Sequence, residues 1–117
     1  MSTFVNAAQA PAIGLSEEQA QLIDIAAGFC RDNSPVDQVR ALLEEETGFN
    51  PDIWQEIAEL GWLGIGIPEA YGGIGLGLGE LVPIVEQMGR HLLTTPYVST
   101  ALAAQAVLRG GTEAQKN

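Results

Sequence analysis

Apolar residues recur every three or four positions in the first part of the chain, which is the period of an amphipathic helix. Ser16 is placed to cap the first such segment because Gln19 follows three positions later, as in a capping box. Leu15 can pack back on Ala20 as a hydrophobic staple. We predict a helix from Ser16 to about Asn33 with an inward face of Leu22, Ile25, Ala26 and Phe29.

Two further helices begin with the same signal, a polar residue followed by proline. Ser34 and Asn50 each precede a proline, as an N-cap precedes a first helical residue. We expect the second helix to stop before Gly48 and the third to stop at Gly61, because glycine favours helix C-termini. The predicted inward residues are Val36, Val39 and Leu43 in the second helix, and Ile53, Ile57 and Leu60 in the third.

The helical period disappears between Gly61 and Gly79, a segment that holds eight of the fourteen glycines. We predict a loop here. Its glycines do not have the spacing of a dinucleotide or P-loop motif and no strand precedes them, so turns and close packing are the favoured roles. Glu69 is a candidate general base, but no second titratable group lies near it in sequence. We expect it to cap N–H groups instead.

A fourth helical face follows the loop and consists of Leu81, Val82, Val85 and Met88. Pro83 lacks a backbone N–H, so it is expected either to kink this helix or to mark its first turn. Gly89 lies near the predicted end.

The fifth predicted helix, from Tyr97 to Leu108, is apolar on nearly every side, with Gln105 as its one polar residue after Thr100. Such a helix needs neighbours on every side. Thr112 and Gln115 then form another capping box, so a sixth helix begins about one turn before the sequence ends. We therefore expect more polypeptide to follow.

These patterns predict an all-α fold, an orthogonal or irregular bundle of about five to six helices with a glycine-rich loop at 61–79. A flexible arm is predicted over residues 1–14, and one domain over 15–117. No stretch has the alternating pattern of a β-strand.

Composition narrows the possible functions. The chain has 117 residues, enough for one domain, and its net charge of −10 argues against a nucleic-acid partner. One cysteine and one histidine are too few for a structural zinc site or a Cys-x-x-Cys redox pair. The N-terminal residues lack the features of a secretory signal, and no membrane insertion is expected. The predicted location is the cytoplasm.

Four other residues have side chains that can take part in catalysis or ligand binding. His91 could be a proton donor or a ligand, but a histidine just after a helix more often interacts with the helix C-terminus. Cys30 is expected to be a small buried hydrophobe rather than a nucleophile. Trp54 and Trp62 are expected to fill core.

Several motifs in sequence order carry a resemblance to a known family. The chain has I-W-Q-E-I-A-E-L-G-W-L-G from Ile53, then P-E-x-x-G-G-x-G from Pro68 to Gly75. E-Q-M-G-R and G-T-E-A-Q-K follow, ending at Arg90 and Lys116. Over about residues 15–116 this order resembles the N-terminal helical domain of the acyl-CoA dehydrogenase family.

The resemblance implies a three-part FAD-dependent flavoprotein that abstracts an α-proton from an acyl-CoA thioester while the β-hydride passes to FAD. The base and most FAD contacts belong to the other two parts, so no catalytic, cofactor-binding or metal-binding residue is assigned in this chain, which alone is expected to be inactive. The family also implies an electron-transfer acceptor and a homo-oligomer.

In the family this domain lines the acyl-chain cavity. Alignment on the G-T-E-A-Q-K motif implies that the lining residues of this chain are Thr95, Val98, Ser99 and Leu102. Packing only against protein is an equal alternative for these residues. A different reading of the whole chain is a stand-alone acidic helical module that binds a protein partner without catalysis. In either case the apolar last helix predicts self-association of the isolated chain.

Overall fold

A computed structural model describes residues 16–117, and within this range it contains six α-helices, two short 3-10 turns and no strand. The α-helices are α1 (Glu17–Asn33), α2 (Val36–Leu42), α3 (Pro51–Glu59), α4 (Leu78–Arg90), α5 (Tyr97–Gly110) and α6 (Glu113–Lys116); the 3-10 turns are Trp62–Gly64 and Glu69–Tyr71. The all-α prediction is confirmed. The predicted arm at 1–14 and the contact of Leu15 with Ala20 lie outside the described residues.

The helix starts at α1, α3 and α6 are capped as the sequence predicts. Ser16 Oγ accepts a hydrogen bond from the Gln19 N–H at 3.1 Å, and the Gln19 side chain accepts one from the Ser16 N–H at 3.0 Å. Thr112 and Gln115 repeat this reciprocal pair, and Asn50 Oδ1 accepts from the Asp52 N–H at 2.9 Å. Each pair satisfies N–H groups that a helix start otherwise leaves free.

Helices α1 and α4 pack side by side. Near their starts, Gln19 Nε2 donates to Glu80 Oε1 at 3.2 Å, and beyond their ends Ser34 Oγ donates to the His91 carbonyl at 2.8 Å. Start lies beside start and end beside end, so the two helices run in the same direction.

The core lies between this pair, α3 and the first 3-10 turn. Its buried members are Ala26, Cys30, Ile53, Ile57, Trp62, Ile65, Ile84, Met88 and Tyr97. The rings of Trp62 and Phe29 meet edge to face, with centroids 5.1 Å apart and an interplanar angle of 69°. Trp54 is half-buried against the same cluster. Both tryptophans therefore fill core, as predicted.

The second helix differs from the prediction. It ends at Leu42 rather than just before Gly48, and its predicted inward residues Val36 and Leu43 are exposed, Leu43 to 81%. Three consecutive glutamates follow Leu43; they oppose the helix dipole and repel one another, while no apolar contact compensates. Ser34 does not cap α2, because its hydroxyl donates to the His91 carbonyl.

Three other inward assignments are wrong: Ile25, Leu60 and Val82 are exposed. Ile25 and Leu60 belong neither to the buried core nor to the partly buried residues packed against it, and Val82 borders a groove on the surface between α4 and α5. Pro83 lies inside α4 and is buried, so it does not mark the first turn. Helix α4 begins at Leu78, which shortens the predicted 61–79 loop by two residues.

Candidate functional site

The glycine-rich segment folds back on itself through its own backbone. The N–H of Ile74 donates to the Gly64 carbonyl at 2.8 Å, that of Gly75 to Ile67 at 2.9 Å and that of Leu76 to Ile65 at 2.9 Å. N–H groups that bond to carbonyl oxygens are not free to bind a phosphate. The arrangement supports the packing role predicted for these glycines.

Glu69 is exposed at the start of the second 3-10 turn. Its carbonyl oxygen accepts from the Gly72 N–H at 3.0 Å, so its backbone, rather than its carboxylate, closes this turn.

Three side-chain hydrogen bonds hold the glycine-rich segment against the last two helices. Tyr97 Oη donates to the Trp62 carbonyl at 2.8 Å, and Gln105 Nε2 donates to the Gly66 carbonyl at 3.0 Å. Tyr71 Oη donates to a carboxylate oxygen of Glu113, also at 2.8 Å. Helix α5 is therefore fixed along one side, and its other side faces outward.

Two apolar grooves lie on the outward side of α5, where it passes α4. The upper groove, of about 370 Å³, includes Leu78, Leu81, Val82, Val85, Val98 and Leu102. The lower groove, of about 420 Å³, includes Val85, Met88, Leu92, Thr95, Tyr97 and Val98. Val85 and Val98 border both grooves, so the two form one apolar surface, which we call the α4/α5 face.

The structure brings three of the four predicted acyl-cavity residues to this face. Thr95 and Val98 line the lower groove, and Val98 and Leu102 line the upper one. Ser99 belongs to neither groove, and its hydroxyl donates to the Pro96 carbonyl at 3.1 Å. Their contact with an acyl chain stays a prediction.

Sequence reasoning missed the contribution of α4 to this face. Val82 and Val85 belong to the apolar face predicted for this helix; Val82 is 60% exposed, and both line the upper groove. The available signal was that the apolar residues of α4, which include Leu78, Leu81 and Ile84, exceed what one narrow stripe accommodates.

Two buried groups titrate far from their ordinary range. Burial raises the pKa of Cys30 from 9.0 to about 11 and that of Tyr97 from 10.0 to about 12. The Tyr71 pKa is raised as well, first by its hydrogen bond to Glu113. Cys30 keeps its proton at neutral pH and is not a nucleophile there, as predicted.

His91 is the C-cap residue of α4, and its N–H donates to the Gln87 carbonyl at 3.2 Å.

The Cys30 shift predicts a loss of stability in alkali. The folded state holds the thiol proton more tightly than the unfolded state. The resulting contribution to the free energy of unfolding is therefore fully present below pH 9 and is lost as the pH rises to about 11. The urea concentration at the midpoint of unfolding should fall as the pH rises from 8 to 11. In Cys30→Ala this fall should be smaller between pH 9 and 10. Tyr97, with its pKa near 12, and Tyr71, whose pKa is also raised, should account for further loss of stability at higher pH. Equal slopes in both proteins between pH 9 and 10 would contradict this assignment.

From Ser16 onward the domain has neither a metal-binding cluster nor a membrane-spanning helix. No group of three or more histidine, cysteine, aspartate or glutamate side chains there is arranged to hold a metal ion. None of the helices in this part of the chain is both long enough and apolar enough to cross a membrane.

Comparison with known proteins identifies the fold. Residues 16–117 match the model of the family described as acyl-CoA dehydrogenase, N-terminal domain. The chain is an N-terminal domain of the acyl-CoA dehydrogenase family. The resemblance seen in the sequence motifs is thereby confirmed.

Individual relatives agree with this acyl-CoA dehydrogenase domain. The acyl-CoA dehydrogenase IpdE2 of Mycolicibacterium smegmatis is 34% identical over 98 residues, covering 83% of this chain and 32% of the relative. The mitochondrial isovaleryl-CoA dehydrogenase of Pongo abelii is 34% identical over 106 residues, covering 88% of this chain and 25% of the relative. A solved variant of the Tcur3481-Tcur3483 steroid ACAD superposes with a TM-score of 0.79 at 37% identity, covering 86% of this chain and 28% of that one. The domain thus spans about a quarter to a third of these relatives.

The acyl-CoA dehydrogenase domain does not by itself fit a complete FAD site. A pyrophosphate needs free N–H groups or cations. The glycine-rich segment uses many of its N–H groups internally, and Lys116 lies 3.6 Å from a carboxylate oxygen of Glu113. The whole chain carries only five basic side chains against fifteen acidic ones.

Proposed function

We propose that this domain is part of an FAD-dependent acyl-CoA dehydrogenase, which removes one hydrogen from each of the α and β carbons of an acyl-CoA thioester. The domain lines the acyl-chain cavity with its α4/α5 face and contributes no catalytic group. The observation that carries the proposal is this face: an apolar surface, held firmly along α5, on a domain of a known dehydrogenase family.

Exposure of the face is the first support. Leu102 is 66% exposed and Val82 is 60% exposed, and large apolar patches on proteins usually bind something. The chain spans only part of the length of its relatives, so the remaining polypeptide of such an enzyme is the natural cover. A hydrocarbon chain fits the interface because the bordering side chains are mostly aliphatic.

Membership of the family implies a division of labour between this domain and the rest of the enzyme. The base that takes the α-proton and most of the flavin contacts lie in other parts of the enzyme, and FAD supplies the hydride acceptor. This domain excludes water from the acyl chain and orients it. The proposal also includes an electron-transfer acceptor, a cytoplasmic location and homo-oligomerisation through apolar surface. Sedimentation of the isolated chain tests its self-association.

The natural gene product tests the function directly. Purified, it should be yellow, and acyl-CoA added without oxygen should bleach the flavin absorbance. Leu102→Asp should raise KM by about tenfold or more, because burying an unpaired charge against an acyl chain is costly. Leu43→Asp is the matched control, since Leu43 is exposed on another surface. A colourless product that binds a separate flavin-free chain would instead favour the protein-interaction module.

A further inference from the structure

One polar atom on the α4/α5 face has no explanation within the described domain. The hydroxyl oxygen of Thr95 is buried, and it makes no hydrogen bond with any group of residues 16–117. Buried hydroxyls are nearly always hydrogen-bonded, because a hydroxyl removed from water without a partner destabilises the fold. Such an atom therefore calls for a partner.

Unlike Thr95, the neighbouring hydroxyls donate hydrogen bonds to backbone carbonyls. Ser99 Oγ and Thr100 Oγ1 both donate to the Pro96 carbonyl, at 3.1 and 2.6 Å, and Thr94 Oγ1 donates to the Leu92 carbonyl at 3.4 Å. Each of these side chains is satisfied by the backbone close to it. Thr95 differs from them although it lies in the same segment.

The surroundings of Thr95 restrict the chemistry of the missing partner. It lines the lower groove beside Val85, Met88 and Val98, and no charged side chain borders that groove. Tyr97 also lines it, but its hydroxyl is already bonded to the Trp62 carbonyl. An ionised carboxylate would find no counter-charge here, so an uncharged oxygen fits better.

We propose that Thr95 hydrogen-bonds a keto or hydroxyl oxygen carried by the acyl group, which makes oxygenated acyl-CoA thioesters the preferred substrate class. The inference rests on the proposed function and refines it. Because the hydroxyl oxygen is buried as placed, this contact requires rotation about the Cα–Cβ bond of Thr95, which moves the hydroxyl to another staggered position without moving the backbone. The rest of the acyl group lies on the aliphatic side chains around Val98.

The test uses the full flavoenzyme and matched thioesters with and without a ketone. Suitable pairs are hexanoyl-CoA with 5-oxohexanoyl-CoA, and cyclohexylpropanoyl-CoA with its ring ketone. The enzyme should favour the ketone in at least one pair by kcat/KM. Thr95→Val should reduce that preference by about tenfold, the effect of one hydrogen bond, by lowering turnover of the ketone alone.

Two variants serve as controls. Thr95→Ser retains the hydroxyl and should keep the ketone preference, which also guards against a misfolded Thr95→Val. Thr100→Val should keep it too, because the Thr100 hydroxyl donates to the Pro96 carbonyl and Thr100 lines neither groove. The dissociation constants of the same thioesters give a readout independent of turnover.

The outcomes separate this inference from the function on which it rests. If no acyl-CoA reduces the flavin, the proposed function fails. If acyl-CoAs are turned over with no ketone preference in either pair, or if Thr95→Val affects both members of the preferred pair equally, the Thr95 assignment is overturned. An equal effect would mean that the partner of Thr95 is a polypeptide group.

Discussion

Gly73→Ala should destabilise the domain by about 3 kcal/mol or more, a large part of the stability of a small domain. A Cβ at residue 73 would lie 2.0 Å from the carbonyl oxygen of Ile67, inside van der Waals contact. The obstacle is backbone, held by the N–H of Gly75 at 2.9 Å, so it cannot turn aside as a side chain could. Urea unfolding of the 117-residue chain, followed by tryptophan fluorescence, measures the loss.

Gly89→Ala provides the matched control. Gly89 lies near the end of α4, and an added Cβ there has no atom within 4 Å. Alanine favours helix over glycine, so this variant should be equally stable or more stable by up to about 1 kcal/mol. Similar losses in both variants would show that the close approach of residues 67 and 73 is not what requires glycine.

Local signals in the sequence predicted the parts of the fold that local interactions determine. The caps at Ser16, Asn50 and Thr112 require only residues three or fewer positions away, and the structure contains them. Ser34 has the same capping ability, yet its hydroxyl donates to His91, which lies fifty-seven positions later. A tertiary partner overrode the local preference, and no pattern around Ser34 indicates it.

The candidate site shows the same limit. Val98, Ser99 and Leu102 lie in α5 at helical spacing, and Thr95 lies two residues before its start, so the motif alignment was enough to find this segment of the chain. Ser99 is turned away by its bond to the Pro96 carbonyl. Val85 could not be assigned to the face because its place there depends on how α4 lies against α5.

Removal of the Trp62 ring should be the second large perturbation. Trp62 is 3% exposed, and its ring meets Phe29 of α1 while its carbonyl oxygen accepts the Tyr97 hydroxyl of α5. Trp62→Ala leaves a cavity where three elements meet and should cost about 3–5 kcal/mol. Because Cys30 belongs to the same core, its thiol should also react faster with a disulfide reagent at pH 8 in this variant.

Trp54→Ala is the control, because it also removes a tryptophan ring but at a half-buried position. Trp54 is half-buried at the edge of the core, so truncating it removes less apolar surface from contact and leaves no enclosed cavity. Its loss of unfolding free energy should be less than half that of Trp62→Ala, and Cys30 should stay protected. Trp62→Phe should fall between the two, since a smaller ring retains part of the edge-to-face contact with Phe29. A larger loss of stability in Trp54→Ala than in Trp62→Ala would contradict this prediction. It would mean that α1, α3 and α5 are not joined at the first 3-10 turn. The position of α5 would then depend on the hydrogen bond from Gln105 to the Gly66 carbonyl.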